Sequence, residues 1–511
     1  MRAEMWRKLK GNPTCDVLIL GGGVNGAGLM RELALQGVKC VLVDKDDFAA
    51  GASSKSSRMI HGGLRYLENA EFRLVSESVY ERNRLLKYAP HYVKPLRTTI
   101  PIIAWFAGMI KAPLIFFGCN VKVGGRGALI VKMGLTFYDI LTCRLRQTPW
   151  NFLMGKSRSL KEIPGLRDDI VCTATYWDAW ISHPERLCVE MALEGCAEQK
   201  ESLALNYVTV EKNGADTVLL RDTITGETLT VKPKVVVNAT GAWVDFANKP
   251  LGIESKLMGG TKGSHLVIDN KELFNALGDR MIYYEHTDGR ICITFQFLDK
   301  VIMGSTDIRI KDPDEVACDD AEIDYMLMTL RGVFPKINIS KSDIVHIFCG
   351  VRPLMASQEG YTSKVSRSHF LAEHKPDDKR SFPVYSMVGG KLTTFRAFSE
   401  MTADRLMPLL GVTRTVSTAE RYYPKPETFT GEKLKTLPAL TIAEVRVSAE
   451  KELVVHLSDF VRRRSVITLL GQLTDASANE LADVIGSVLG WDDSRKREES
   501  SMALAEARGR K

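Results

Sequence analysis

Several separated segments of the chain place basic, imidazole and hydroxyl side chains beside small residues that let a ligand approach the backbone. Arg352 follows a glycine in GVRPL, Arg367 lies in SRSHF, and Lys391 and Thr393 follow a glycine pair in VGGKLTTF. His61 precedes another glycine pair and comes after the hydroxyl side chains of Ser53, Ser54, Ser56 and Ser57. A guanidinium or ammonium group binds anions, and an imidazole exchanges protons near neutral pH. Any one of these residues is usually an ordinary surface group, so the prediction of a site depends on a fold that brings them together.

A glycine-rich turn between two buried strands indicates that fold. DVLIL predicts a strand, LMRELALQ has helical apolar spacing, and CVLVD predicts a second strand, which together form a strand–helix–strand unit over residues 16–44. Gly21, Gly23 and Gly26 occupy the glycine positions of the dinucleotide fingerprint, and Asp44 ends the second strand where a ribose hydroxyl would lie. The unpaired N–H groups at the start of the helix favour phosphate. The sequence therefore predicts dinucleotide binding by an α/β fold.

The composition is that of a large folded protein. The chain has 511 residues, of which 45% are hydrophobic and 26% charged, and this length requires at least two packed units. The net charge of +7 weakly favours an anionic ligand or lipid surface and is too diffuse to predict nucleic-acid binding. The ten cysteines are scattered without metal-ligand spacing, so free thiols in a reducing compartment and no metal site are expected. The longest apolar stretch, 100–119, is interrupted by Pro101, Lys111 and Pro113, so no transmembrane helix is predicted.

Further elements are predicted along the rest of the chain. Residues 204–231 have the alternation and turn residues of a β-meander, and KVVVNATG, at 234–241, predicts a separate buried strand. GRICITF and KVIMGSTD, within residues 289–307, predict part of a second sheet. The composition changes after about residue 410, and residues 441–508 are largely helical and charged in pattern.

Specific strings in this order resemble one family, the FAD-dependent, respiratory glycerol-3-phosphate dehydrogenases. They are GGGVNGAG, SSRMIHGGLRYLENAEFRLVSES, ERNRLLKYAPH, VVNATGAWVD, KGSHLVI, MGSTD, GVRPL, SKVSRSH and GGKLTTFR. The resemblance runs from about Cys15 to Arg414, and HLSDFVRRRS at 456–465 is a weaker match to the family's helical C-terminal domain.

The resemblance implies an α/β fold in which a Rossmann-like FAD-binding domain is combined with a mixed-sheet substrate domain, as in D-amino acid oxidase. We expect one oxidoreductase unit over residues 12–410, with FAD-binding segments at about 12–75, 160–255 and 345–410 interleaved with substrate-domain segments. A helical C-terminal domain is expected over residues 411–511. FAD is favoured over a nicotinamide cofactor because the matching segments lie far apart in sequence, as in an enclosed flavin site.

The resemblance also assigns roles, position by position. The expected FAD-binding residues are Gly21, Gly23, Gly26, Asp44, Ser53, Ser54, His61, Gly241, Gly389, Gly390 and Lys391. The expected substrate residues are Arg65, Tyr66, Arg367, Lys391 and Thr393, and the expected catalytic residues are His265, Arg352 and His61. In this interpretation arginines bind the phosphate of glycerol 3-phosphate while a histidine with a pKa near neutrality removes the hydroxyl proton, as hydride leaves for flavin N5.

The family passes electrons to quinone at the bilayer surface, so a peripheral position on the inner face of the cytoplasmic membrane is expected. The apolar segment 101–126, with Lys111, Lys122, Arg126 and Lys132 nearby, suits attachment to lipid, and a buried helix pair is the alternative. Whether the acceptor is quinone or oxygen, and whether the protein is a monomer or a homodimer, both stay open.

Three alternative functions are weighed against this one. The string YWDAWISHPERL departs from the family pattern, which leaves room for a related polyol phosphate such as erythritol phosphate. A flavin oxidase of the glycine or D-amino acid type would bind a single carboxylate, which several cations fit less well than a phosphate dianion. A non-enzymatic flavin subunit would have lost donors at the expected site, yet they are all present.

Overall fold

The computed structural model describes residues 1–64, 71–107, 127–141, 143, 146–286, 289–356 and 369–509. Three expected substrate residues, Arg65, Tyr66 and Arg367, lie outside the described residues, as do residues 108–126 of the apolar segment. No helix among the described residues is long and apolar enough to cross a membrane.

The first sheet contains eight strands and is parallel at its centre, in the order β17-β18-β10-β1-β2-β7. Its strands are β1 (Thr14–Leu20), β2 (Cys40–Val43), β7 (Leu203–Leu205), β8 (Val208–Asn213), β9 (Val218–Asp222), β10 (Thr228–Asn238), β17 (Phe370–His374) and β18 (Val384–Val388). β1 pairs in parallel with both β2 and β10, so the predicted strand–helix–strand unit forms the middle of this sheet. All four residues of β2 are buried, as expected of a parallel strand that is covered on both faces.

One strand of this sheet is longer than the sequence predicted. The end of the expected meander and the expected separate strand at 234–241 are a single strand, β10, so the prediction of two strands is wrong. Val231 pairs antiparallel with Val218, whereas Val235 pairs in parallel with Val17. The burial pattern changes at the same point from alternating to continuous, because the first half of β10 lies in an exposed ribbon and the second half in the sheet core.

The second sheet contains ten strands and carries most of the expected catalytic residues, in the order β15-β11-β14-β13-β12-β4-β6-β3 with β16 on β11 and β5 on β6. Its strands are β3 (Met59–Ile60), β4 (Val93–Ile102), β5 (Phe152–Gly155), β6 (Cys172–Ile181), β11 (Thr261–Ile268), β12 (Arg280–Glu285), β13 (Ile291–Phe297), β14 (Lys300–Gly304), β15 (Ile308–Arg309) and β16 (Ile344–Arg352). β11 pairs antiparallel with β14 and β16, which places His265 opposite both Gly304 and Phe348. The two sheets confirm the predicted α/β class.

Helices cover both sheets and form the C-terminal part of the chain. They are α1 (Arg2–Gly11), α2 (Val24–Ala34), α3 (Phe72–Tyr88), α4 (Ala128–Leu141), α5 (Lys156–Glu162), α6 (Pro184–Glu198), α7 (Val244–Asn248), α8 (Lys271–Leu277), α9 (Asp320–Val333), α10 (Phe395–Leu410), α11 (Ile442–Lys451), α12 (Asp475–Leu489) and α13 (Asp493–Arg508). The last three pack around a hydrophobic core of their own that includes Val445, Leu481 and Ala503.

A buried ion cluster joins this helical part to the first sheet. The carboxylate of Asp47, three residues after Asp44, accepts hydrogen bonds from Arg464 at 2.6 and 2.9 Å and is also paired with Arg463. These three side chains are almost completely enclosed, so the loss of one partner would leave a buried unpaired charge. The helical part is therefore fastened to the loop that follows β2.

Candidate functional site

A cavity of about 980 Å³ lies between the two sheets, at the upper end of the size range of ligand sites. It is lined by twelve of the residues expected from the sequence, namely Gly21, Gly23, Asp44, Ser53, His61, Gly241, His265, Arg352, Gly389, Gly390, Lys391 and Thr393. The tertiary structure thus gathers residues that are up to 372 positions apart in sequence, from Gly21 to Thr393, around one cavity.

Glycine occupies each of the three fingerprint positions for a different structural reason. Gly21 has a φ of +98°, which disfavours any other residue at the tight turn after β1. A side chain on Gly26 would overlap the carbonyl oxygen of Gly21, so close packing of α2 on β1 requires glycine there. Gly23 is the N-cap of α2, and its φ of −74° is open to all residues. Because Gly23 has no side chain, the cavity stays open at the N-terminus of α2, the positive end of the helix, where a phosphate binds best.

We expect Gly23→Val to abolish FAD retention while the chain still folds. A Cβ atom at this position would meet only the hydroxyl of Ser53, at 3.2 Å, so the added side chain would extend toward the space that the pyrophosphate needs. The measurement is the flavin-to-protein absorbance ratio of the purified variant. Gly155→Val is a matched control, because Gly155 is also an extended N-cap, of α5, and its Cβ would meet nothing within 4 Å. A Gly23→Val protein with its full complement of FAD would show that this turn does not hold the phosphates.

Asp44 lies at the end of β2 and is oriented by backbone groups. Its Oδ2 accepts a hydrogen bond from the N–H of Gly22 at 2.6 Å, and its Oδ1 accepts one from Asp46 at 3.0 Å. Desolvation raises the pKa of Asp44 to about 7 and outweighs these two bonds, which favour the ionised form. A ribose hydroxyl that donates to this carboxylate would be a further bond to the ionised form.

FAD should therefore bind more tightly to the apoprotein as the pH rises through about 7. Because its pKa is raised, Asp44 is protonated below about pH 7. The carboxyl group must then release its proton before it can accept hydrogen bonds from the ribose. The measurement is a titration of apoprotein with FAD between about pH 6 and 8, compared with Asp44→Asn, in which this slope should vanish. An identical slope in the variant would assign the pH dependence to another group.

Side-chain hydrogen bonds tie the distant segments of the cavity wall together. The Ser53 hydroxyl accepts from the N–H of Val24 at 2.9 Å, at the start of α2. Across the cavity, the Thr393 hydroxyl accepts from the N–H of His61 at 3.2 Å, and Lys391 donates to Ser78 at 3.1 Å. The segment after β18 is thereby joined to the turn that carries His61.

Two expected FAD-binding residues do not line this cavity. Gly26 lies beneath it, packed against Gly21. Ser54 lies in the wall of a second cleft, of about 390 Å³, between the loop after β2 and the C-terminal helices, and its hydroxyl donates to the carbonyl of Gly51 at 3.2 Å. Ser53 and Ser54 are therefore separated by the loop, so only the first faces the expected cofactor.

His265 is deeply buried in β11, where its ring is held by Phe348 and Ser57. Its ring stacks on Phe348 with centroids 4.7 Å apart, and Nε2 shares a hydrogen bond of 2.7 Å with the hydroxyl of Ser57. Burial, with the nearby charge of Arg352, lowers the pKa of His265 to about 3. The sequence-based expectation of a pKa near neutrality thus differs from the structure, in which the imidazole is neutral at all working pH values.

Arg352 is the last residue of β16, and its guanidinium is fixed by four hydrogen bonds. Nη1 donates to Lys262 O and Asp307 Oδ1, both at 3.1 Å. Nη2 donates to Ser305 Oγ at 2.7 Å and to Thr306 O at 2.9 Å. The group lies close to the backbone of β11 at Gly263, where a Cβ atom would overlap it. Its charge faces the cavity, and Asp307 offsets part of that charge.

Sequence reasoning missed three polar residues of this cavity. Ser57 was one of several hydroxyls in a cluster, and only its contact with His265 distinguishes it. Asp307 belongs to the string MGSTD, but its pairing with Arg352 joins residues 45 positions apart. Asp178 lies on β6 in YWDAW and lines the cavity, with no neighbouring residue in sequence that indicates a site.

Comparison with known proteins agrees with this geometry. The family model of the FAD dependent oxidoreductases matches residues 16–405, and that of the C-terminal domain of alpha-glycerophosphate oxidase matches residues 395–496. A glycerol-3-phosphate dehydrogenase of Synechocystis is 34% identical over 418 residues, which cover 77% of this chain and 70% of that protein. A D-erythritol 1-phosphate dehydrogenase of Brucella abortus is also 34% identical, over 399 residues that cover 77% of this chain and 74% of that protein.

A solved structure shows the same fold. The glycerol-3-phosphate dehydrogenase from Bacillus halodurans, complexed with FAD, superposes with a TM-score of 0.73 at 21% identity, covering 99% of this chain and 97% of that chain.

Proposed function

Because the chain belongs to the family of FAD-dependent oxidoreductases that includes the glycerol-3-phosphate dehydrogenases, we propose that it oxidises sn-glycerol 3-phosphate to dihydroxyacetone phosphate. The observation that carries this proposal is the meeting of a dinucleotide cradle, the cationic side chains of Arg352 and Lys391, and the imidazole of His265 in one cavity. The bound flavin supplies a hydride acceptor at N5.

The cations of the cavity suit a phosphate ester. Arg352 and Lys391 both line the cavity, and their positive charges attract a phosphate dianion. The Nη hydrogens of Arg352 are donated to protein acceptors, so in this proposal Arg352 acts on the phosphate through its charge. The fixed position of Arg352 also means that little side-chain entropy is lost when the substrate binds. In this proposal the phosphate anchors the molecule and sets the distance of its C2 hydroxyl from the histidine.

His265 and Ser57 are the proposed route for the hydroxyl proton. The ring is neutral, so it can accept a proton, and its Nε2 points toward the cavity through Ser57, which lines it. Desolvation would oppose a long-lived imidazolium, so the proton is held there only while hydride leaves the neighbouring carbon. His61, fixed on the opposite wall by Thr393, is the second candidate base.

The direct test is anaerobic bleaching of the purified yellow protein. We expect sn-glycerol 3-phosphate to reduce the flavin, and glycine to leave it oxidised. D-Erythritol 1-phosphate is the second candidate substrate, because its dehydrogenase is as similar to this chain as the glycerol 3-phosphate enzyme. Faster bleaching by erythritol phosphate would replace the proposed substrate with the four-carbon one, and no bleaching by either would overturn the proposal.

Quinone at the inner face of the cytoplasmic membrane is the proposed electron acceptor, and an exposed apolar surface supports this placement. Four side chains of α4 spaced by three or four positions, Leu129, Met133, Phe137 and Ile140, are exposed on one face of the helix. Ile103, Trp105 and Phe106 are exposed beside its first turn, where Leu129 N donates to Trp105 O at 3.3 Å. An amphipathic helix with aromatic residues at its edge suits the lipid interface.

We expect the protein to float with anionic vesicles at low salt and to be partly released at high salt. Met133→Glu with Phe137→Glu should abolish flotation, because two charges would have to enter the acyl boundary. Met328→Glu on α9 is the control, since Met328 is also half-exposed and apolar but lies outside this surface. A wild-type protein that stays soluble, with a dimer that the double variant breaks, would assign the surface to a second copy of the chain instead.

A further inference from the structure

A fully buried polar cluster lies under the turn that carries His61, and the reaction proposed above does not use it. Three donors converge on one oxygen, Oδ1 of Asp178: the guanidinium of Arg82 at 2.9 Å, the hydroxyl of Tyr138 at 2.7 Å and the N–H of Gly62 at 3.0 Å. The exposed fractions of Arg82, Tyr138 and Asp178 are 1%, 1% and 2%. The three come from α3, α4 and β6, so the cluster joins three elements at one point.

Burying such a charged cluster in a core costs desolvation free energy. Desolvation of a carboxylate and a guanidinium is compensated only when their hydrogen bonds are nearly complete, and apolar residues of similar volume are often as stable. Burial also raises the pKa of the Tyr138 hydroxyl, so this group keeps its proton and donates it to the carboxylate. The arrangement therefore fixes the direction of the Asp178 carboxylate, which a hydrophobic core would not do.

The Asp178 carboxylate holds the backbone next to His61. The N–H of His61 donates to Thr393 and the next N–H, of Gly62, donates to Asp178. Gly62 also lies directly against the Tyr138 hydroxyl, because a Cβ atom there would overlap it. The turn is thus held by one hydrogen bond from each side and by contact from below, and both His61 and Asp178 line the cavity.

We propose that Asp178, fixed by Tyr138 and Arg82, is a positioning residue that sets the position of the His61–Gly63 turn in the wall of the cavity. In this proposal it acts through its hydrogen bond to the backbone of Gly62. The inference rests on the proposed function for its kinetic readout, and on the cofactor alone for its spectroscopic one.

The test is Tyr138→Phe in the FAD-loaded protein. Phenylalanine keeps the ring in place and removes only the hydroxyl, so the carboxylate and the turn become free to shift. We expect the FAD content and the KM to stay unchanged, kcat to fall about tenfold, and the absorption band of the oxidised flavin to move. Asp178→Asn, which keeps an acceptor oxygen for Gly62 but loses the charge, should change kcat and the band in the same direction.

Tyr284→Phe is the matched control. Tyr284 is a buried tyrosine on β12, in the sheet that carries Asp178. Its hydroxyl lies 3.5 Å from that of Thr329, and it lies outside the wall of the cavity. The control should lose thermal stability without a change in kcat or spectrum. If Tyr138→Phe behaves like the control, and Asp178→Asn has an unaltered flavin band, the cluster is structural only and the inference fails. A wild-type protein that no polyol phosphate reduces would overturn the proposed function, while the flavin band would still decide the positioning role.

Discussion

Arg352→Ala is expected to lower kcat/KM for glycerol 3-phosphate by about 30-fold to several thousand-fold, because removing one partner of a charge pair in a partly enclosed site typically costs ~2 to 5 kcal/mol. The structure adds a second reason for a large effect. Asp307 is paired with Arg352 at 3.1 Å and lines the same cavity, so the variant would remove one cation from a carboxylate that shares the cavity with the substrate dianion. Steady-state kinetics, with the FAD content checked, measures the loss.

Two further variants test whether the loss of activity comes from the guanidinium of Arg352. Arg352→Lys keeps the charge but cannot make the four hydrogen bonds that fix the guanidinium, so it should restore only part of the loss. Arg309→Ala removes an exposed arginine of the neighbouring β15 that lies outside the cavity, and should have little effect. If Arg352→Ala stays within about threefold of the wild type, the substrate is not held by its phosphate at this residue.

His265→Gln is expected to lower kcat by about 10² to 10⁴-fold while the substrate still binds, as for the loss of a general base. Glutamine has similar volume and can keep a hydrogen bond to Ser57, so the stacking place on Phe348 stays filled. FAD content and KM should therefore change little. A loss that appears only in KM would assign His265 to substrate binding and leave His61 as the base.

The pH profile provides a separate check on His265. Because burial lowers its pKa to about 3, the imidazole stays neutral and competent between about pH 5 and 9, and its protonation should produce no acid limb in kcat. The substrate phosphate has its own ionisation near pH 6, which would appear equally in the wild type and in His265→Gln. An acid limb that is present in the wild type and absent from the variant would show that the imidazole is less enclosed than in this structure.

Local patterns determined the central part of the fold. A strand, a glycine turn and a helix are encoded by residues within a few positions of one another, so β1, α2 and β2 form where the sequence predicts them. The close packing of Gly26 on the carbonyl of Gly21 likewise lies within the same unit. The resemblance of whole strings then extended this unit to FAD and to a phosphorylated polyol, which the comparisons with known proteins support.

Burial and long-range pairing were decided only by the tertiary structure. The sequence predicts the halves of β10 as two strands, one ending at 231 and the other beginning at 234, and only the pairing with β1 shows that they form one strand. Ser53 and Ser54 are neighbouring serines that the sequence does not distinguish. The direction of the loop places Ser53 in the wall of the main cavity and Ser54 in the wall of the second cleft. The exposed face of α4 is also invisible in the sequence, where the same apolar residues predict a buried helix equally well.

The sequence alone therefore determined the family and the cofactor, and it indicated twelve of the residues that line the cavity. It could not determine their protonation or their partners. The pKa of His265 depends on desolvation by β14 and β16, and the charge of Arg352 depends on Asp307, 45 positions away. Asp178 gathers Arg82, Tyr138 and Gly62 from separate elements. Electrostatic energies depend on distance and burial in space, and neither quantity is set by separation along the chain.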